Sequence, residues 1–170
     1  RVPRPVRSPL VTLAKSTPVG YNEAAEIMMP FDAMIDALRR GWLTDDSVGS
    51  MGSYLGRMQR YLCASYALAK SAGNAQMLER AKAGLTALCQ AIQRRIDAGQ
   101  LDKPVICTGD ELRAIQSTAN MLAAALPHAS CGAWALAAES AADSERKILI
   151  LMGRRARGRH ENGQGQSPAF

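Results

Sequence analysis

Residues 74–99 read NAQMLERAKAGLTALCQAIQRRIDAG. Met77, Ala81, Leu85, Leu88, Ile92 and Ile96 step by 4, 4, 3, 4 and 4 positions, the intervals at which side chains return to one face of an α-helix. Glu79, Arg80, Lys82, Arg94 and Arg95 fall off that stripe. Asn74 is a good N-cap and Gly99 a good stop. The segment therefore predicts one amphipathic helix, dry on one side and wet on the other. A helix of this kind needs neighbours to cover its apolar stripe.

The flanking segments supply them. Thr44-Asp45-Asp46-Ser47 is a strong helix start, because short acceptors and negative charge suit the N-terminal dipole. Val48, Met51, Leu55, Met58 and Leu62 follow at spacings of 3, 4, 3 and 4, with Tyr54, Tyr61 and Leu68 beside them, which predicts a helix running to Gly73. Gly49, Gly52 and Gly56 fall in its first turns. Each costs about 1 kcal/mol of helix propensity relative to Ala, so they mark a frayed start or a close-packing or interface surface. Upstream, Asn22 is a candidate N-cap, and Phe31, Met34, Ile35 and Leu38 give one apolar face ending at Gly41. Pro30 either kinks that helix or opens a new one.

Downstream, Thr108-Gly-Asp-Glu111 has the form of a capping box. Leu112, Ile115, Ala119, Leu122 and Leu126 then step by 3, 4, 3 and 4 up to Pro127. Ser130 can cap a last helix through Trp134, Ala138, Ala141, Ile148 and Met152. Residues 100–107 are a connection with a short β-prone patch at Val105-Ile106-Cys107. Long helices with short links make antiparallel neighbours. The expected fold is all-α, an up-and-down bundle of about five helices over 22–152.

The charge lies outside that body. Residues 1–21 carry Arg1, Arg4, Arg7 and Lys15 with no acid, and 153–170 carry Arg154, Arg155, Arg157 and Arg159 against Glu161 alone. These are +4 and +3 of a net +6, leaving −1 for residues 22–152. Pro3, Pro5 and Pro9 make the first segment an extended, Pro-rich basic arm. The Arg/Gly-rich tail lacks the apolar residues that offset ordering entropy, and alone it is expected to be disordered. Forked guanidinium groups suit phosphates and carboxylates, so the anionic-partner candidates are Arg154, Arg155, Arg157, Arg159, Arg1, Arg4 and Arg7. A solubilising tail explains the same arginines equally well. Arg39-Arg40 and Arg94-Arg95 could extend the basic surface, although each pair also suits the C-terminal turn of its helix.

Catalytic signals are poor. His128 and Cys131 are two candidate ligands in one turn, and a zinc site takes four. Asp45-Asp46 and Asp110-Glu111 sit where helix capping accounts for them. Gly49–Gly56 lacks the Lys-Ser/Thr ending of a phosphate-binding loop. A helix-turn-helix over Thr44–Tyr61 would need a turn that the apolar stripe does not allow. No catalytic residue, cofactor or metal is expected. No apolar run reaches the roughly 20 residues of a membrane span. The N-terminus lacks the apolar core of a signal peptide. Cys63, Cys89, Cys107 and Cys131 read as reduced thiols of a cytoplasmic protein, and the Ala/Arg/Met/Gly-rich composition as that of a bacterial gene. The chain begins at Arg1 and not at an initiator Met, which leaves open an upstream segment that is missing or cleaved.

The expected function is a non-enzymatic helical interaction protein, a subunit or accessory factor of a larger nucleoprotein assembly that docks through its basic arms and a bundle face. A protein partner is expected, nucleic acid through the arms is possible, and regular seams in the middle helices allow a homo-oligomer. The alternative is a small regulator or inhibitor acting through protein contacts alone. An enzyme or ligand binder, with a site lined by Trp134, Tyr61 or Tyr66 between helices, ranks last.

Overall fold

The computed structural model describes residues 15–43, 54–100 and 103–142. It contains α1 (Tyr21–Arg39), α2 (Tyr54–Ala72), α3 (Ala75–Asp97), α4 (Gly109–Ala125) and a 3₁₀ turn, Leu126–His128. Residues 131–142 are the described part of a fifth helix, α5. The protein is all-α. No helix among the described residues is long and apolar enough to cross a membrane.

The periodic segments fold as their spacing dictates. In α3, Ala81, Leu88 and Ile92 are buried, with Leu85 and Ile96 packed against the core. Asn74 caps α3 by accepting a hydrogen bond from the Met77 amide at 3.1 Å. The capping box forms: the Glu111 amide donates to Thr108 Oγ1 at 3.3 Å, and the Thr108 amide to Glu111 Oε2 at 2.8 Å. α1 and α3 end in matching Schellman motifs. Gly41 N–H donates to Leu38 O and Trp42 N–H to Ala37 O; Gly99 N–H donates to Ile96 O and Gln100 N–H to Arg95 O. Both glycines adopt positive φ, 68° and 66°, where a Cβ would be strained.

Neighbouring helices run antiparallel. Arg94 near the end of α3 meets Glu111 at the start of α4, while Thr118 further along α4 donates to Arg80 O near the start of α3. Likewise Gly20 N–H donates to Pro127 O at one end of the α1–α4 pair, and Arg39 meets Gln116 towards the other. Phe31, Met34, Met58, Leu62, Leu88, Ile115, Leu122 and Leu126 fill the space between, each at most 1% exposed. Burying one such side chain contributes roughly 1.5–3 kcal/mol. Tyr61 stacks on Phe31 with ring centroids 4.9 Å apart and donates its hydroxyl to Ile27 O at 2.7 Å.

The structure also corrects several local expectations. Helix α1 starts one residue before Asn22, with Gly20 at φ 80° as an N-cap that makes no side-chain bond. Pro30 does not open a new helix; it lies inside α1 on the exposed face. The patch at Val105–Cys107 forms no strand among the described residues: the Val105 amide donates to Leu43 O at 2.9 Å, and Val105 is fully buried. In α5 the buried positions are Ala137 and Ala141, and Ala138 is exposed. Tyr54 is 62% exposed and does not join an apolar seam. Most of the expected N-terminal arm lies outside the described residues, but its last part belongs to the body. Val19 is 6% exposed, its amide donates to Ala129 O at 2.9 Å, and Cys131 N–H donates to Thr17 O at 2.8 Å. Residues 17–20 thus form an extended strap across the 3₁₀ turn and the start of α5.

Candidate interaction surfaces

At one end of the bundle the chain alternates inward and outward side chains in a fixed frame. Leu43 is 1% exposed, and its carbonyl holds the amide of fully buried Val105. The neighbours of this pair point outward: Trp42 is 67% exposed and Ile106 72%. The Schellman bond from the Trp42 amide to Ala37 O, 2.8 Å long, fixes the backbone under the indole. Arg40 lies over the Trp42 ring, 5.3 Å from its centroid, and Arg57 over Tyr54 at 6.0 Å. Each is a cation–π pair on an exposed aromatic, worth about 0.5–1 kcal/mol.

The candidate basic pairs behave differently from one another. Arg94 grips Glu111 through both terminal nitrogens at 2.5 Å and also donates to Ile106 O at 3.3 Å. Arg95 is 8% exposed and donates to Lys103 O at 3.2 Å. These two arginines hold the α3–α4 connection together. Arg39 and Arg40 are exposed, but both engage Asp36, at 3.2 and 3.0 Å. The Arg94 guanidinium holds the Glu111 carboxyl down at about 2, with bonds from Thr108 in the same direction and burial opposing. Burial first, and the Glu111 carboxylate second, push the neighbouring Cys107 thiol up to about 11. Burial also raises Cys89. Both are protonated at neutral pH, and the thiol is a poor nucleophile. None of the four cysteines forms a disulfide.

The outer face of α1 has its own character. Between Tyr21 and Leu38 it carries Glu23, Glu26, Asp32 and Asp36 and no lysine or arginine. Tyr21 is 72% exposed and Met29 68%, and Ala25 and Ala33 are exposed on the same side. An open groove of about 590 Å³ runs between α1 and α4, lined among others by Asp32, Asp36, Arg39, Gln116 and Asn120. Arg39 crosses it to Gln116 Oε1 at 3.0 Å, and the Gln116 amide donates to Asn120 at 3.1 Å.

Arg1, Arg4, Arg7, Arg154, Arg155, Arg157 and Arg159, together with Gly49 and Gly52, lie outside the described residues. Gly56 is half-buried in α2. Close helix packing through a glycine occurs at Gly84: a Cβ there would come within 2.9 Å of Thr118 Cβ and closer still to its hydroxyl. At Gly132 a Cβ would sit 2.8 Å from Lys15 O. The sequence signal for Gly84 was a glycine inside an otherwise strong helix, flanked by Ala81, Leu85 and Leu88. Tyr61 and Trp134 pack against the main core and Tyr66 against the Ala69–Ala81–Met121 cluster, so the ring residues considered for a ligand site serve in packing. His128 meets Tyr21 edge-on, with centroids 5.7 Å apart. Among the described residues no group of three His, Cys, Asp or Glu side chains could hold a metal. Comparison with protein-family models, curated proteins and solved structures finds no match to this chain.

Proposed function

We propose that this protein is a non-enzymatic interaction subunit or accessory factor of an anionic, nucleic-acid-containing assembly. In this reading the arginines at the two ends of the chain contact the anionic component, and an exposed face of the bundle contacts protein. The observation that carries it is the charge layout: +4 in residues 1–21 and +3 in 153–170 around a body of −1. Sequence-independent attraction to phosphates needs clustered Lys and Arg and little else. The end bearing Trp42 and Ile106 supports the protein-contact half, because Trp and Arg on a rigid frame are the residue types that dominate interface energies.

The test is affinity capture of partners from the native host, followed by nuclease treatment and a salt titration. Loss of the retained material on nuclease or at modest salt supports the reading. Retention of one stoichiometric protein through both treatments defeats it. That outcome would favour the second reading, a regulator acting through protein contacts alone, for which the outward display of Trp42 and Ile106 is the specific support. Trp42→Ala would then abolish the capture that neutralising the tail arginines leaves intact.

A further inference from the structure

The strap at residues 17–20 and the segment beneath it form a matched pair. The Val19 amide donates to Ala129 O at 2.9 Å, the Gly20 amide to Pro127 O at 3.1 Å, and the Cys131 amide to Thr17 O at 2.8 Å. Pro18 and Ser130 face each other between these bonds as an antiparallel bridge. Val19 is 6% exposed and belongs to the main core cluster, whereas Thr17 and Pro18 are exposed. This is the geometry of strand addition: backbone bonds hold an extended segment, and a pocket takes one of its side chains. Pro18 keeps Thr17 in the extended region whether or not the strap is docked, so the segment loses little freedom on binding.

The strap folds back onto its own body through one residue. Gly20 has φ 80° and ψ 164°, a region open essentially to glycine alone. A Cβ there would meet nothing within 4 Å, and Gly20 caps α1 without a side-chain bond. Rotation at Gly20 therefore lifts the strap away while α1 stays in place. An undocked strap leaves Pro127 O, Ala129 O and the Cys131 amide without these partners, and it uncovers the core beneath Val19. The sequence that fits this site is Thr-Pro-Val-Gly, and a second copy of the chain carries it. Exchange of identical elements keeps every contact and is a low-cost route to a dimer. Tyr21 is 72% exposed and meets the exposed His128 beside the hinge. Two bodies joined at this end cover both rings, which offsets part of the cost of association.

We propose that two copies of this chain exchange their straps, residues 17–20 of each docking on residues 127–131 of the other in a two-fold dimer. The proposal goes beyond the proposed function and does not depend on it. Within one chain the strap is a tethered ligand with an effective concentration on the order of 1 mM. The dimer is therefore expected to accumulate towards that concentration, and below it to the extent that covering Tyr21 and His128 contributes.

The experiment uses the full chain and two readouts. Sedimentation equilibrium is run from about 10 μM to 1 mM, the range the tether sets. The parent's mass is expected to rise from one chain towards two. Gly20→Ala strains the folded-back strap and not the exchanged one, so it is expected to tighten the dimer at least about tenfold. Val19→Asp undocks the strap and is expected to hold the mass at one chain. A parent of one-chain mass up to 1 mM overturns the proposal, as does a dimer that Val19→Asp leaves unchanged. The second readout keeps Val19. Pro18 and Ser130 are a non-hydrogen-bonded pair, whose Cα atoms lie about 4.5 Å apart, within disulfide range. An isotope-labelled Pro18→Cys chain is mixed with an unlabelled Ser130→Cys chain, concentrated and oxidised. Peptide mass spectrometry is expected to find the two introduced cysteines joined between labelled and unlabelled chains. If the double variant Pro18→Cys/Ser130→Cys joins within one chain while the mixture shows no link, the strap stays on its own body and the exchange is refuted.

Discussion

Gly84 carries the tightest contact between α3 and α4. A methyl group there would press on Thr118, whose single hydroxyl proton is shared between Arg80 O at 2.8 Å and Ala114 O at 3.1 Å. Because Thr118 is fully buried, it cannot swing aside without losing those bonds. Gly84→Ala is expected to lower stability, because the cost of overpacking, about 1–3 kcal/mol, outweighs the roughly 1 kcal/mol that Ala would add in an open helix. A chemical denaturation midpoint at or above the parent's would refute it. Glu111 provides the second residue-scale expectation. Its folded-state carboxyl is held at about 2, below its ordinary 4.5. A depressed carboxyl contributes stability above the unfolded value and loses it as pH falls towards the folded one. Stability should therefore decline between about pH 4.5 and 2, and Glu111→Gln should be less stable at neutral pH with a flatter slope in that window. Parallel acid-unfolding curves for the two proteins would contradict this. The capping box behind Glu111 was readable because it is local, four consecutive residues that satisfy one another. The clash behind Gly84 was not, since Thr118 lies in another helix and spacing within α3 does not reveal its approach.

Elements assemble here through short-range rules plus one long-range strap. The helices and their stops followed from period and caps, and both Schellman glycines, Gly41 and Gly99, were legible as helix ends. Thr17–Gly20 was not legible, because a Pro-Val-Gly stretch reads as extended whether or not it docks. Its partners, Pro127, Ala129 and Cys131, lie more than a hundred residues away. Gly132 permits that docking by leaving room for the Lys15 backbone. Gly132→Ala is accordingly expected to displace the strap without unfolding the bundle. Hydrogen exchange should speed up at the Val19, Gly20 and Cys131 amides, while Leu88 and Leu122 in the core keep their protection. Uniform acceleration across all five would show instead that the strap is integral to global stability.

At the scale of the whole molecule, the neutral body was readable from composition and the position of its charges was not. A body at −1 over residues 22–152 conceals an acidic α1 and an α3–α4 connection whose arginines are committed to Glu111 and to the Lys103 carbonyl. Net charge therefore misjudges which cations remain available. If Arg94 and Arg95 served phosphates, replacing them would reduce the salt dependence of oligonucleotide binding. Their bonds in the fold argue that replacement instead destabilises the protein. The tail arginines lie outside the described residues. Each phosphate neutralised on a single strand contributes about −0.7 to the slope of log K against log salt. Exchanging Arg154, Arg155, Arg157 and Arg159 for Gln is thus expected to flatten that slope by up to about 3 units while leaving the thermal midpoint in place. Arg95→Gln is expected to do the reverse, lowering the midpoint with the slope unchanged. Oligonucleotide titrations from low to moderate salt on both variants, beside their melting curves, separate the two roles. A tail variant with the parent's slope would remove the arginines of residues 154–159 from the anionic contact and leave the N-terminal Arg1, Arg4 and Arg7 to carry it.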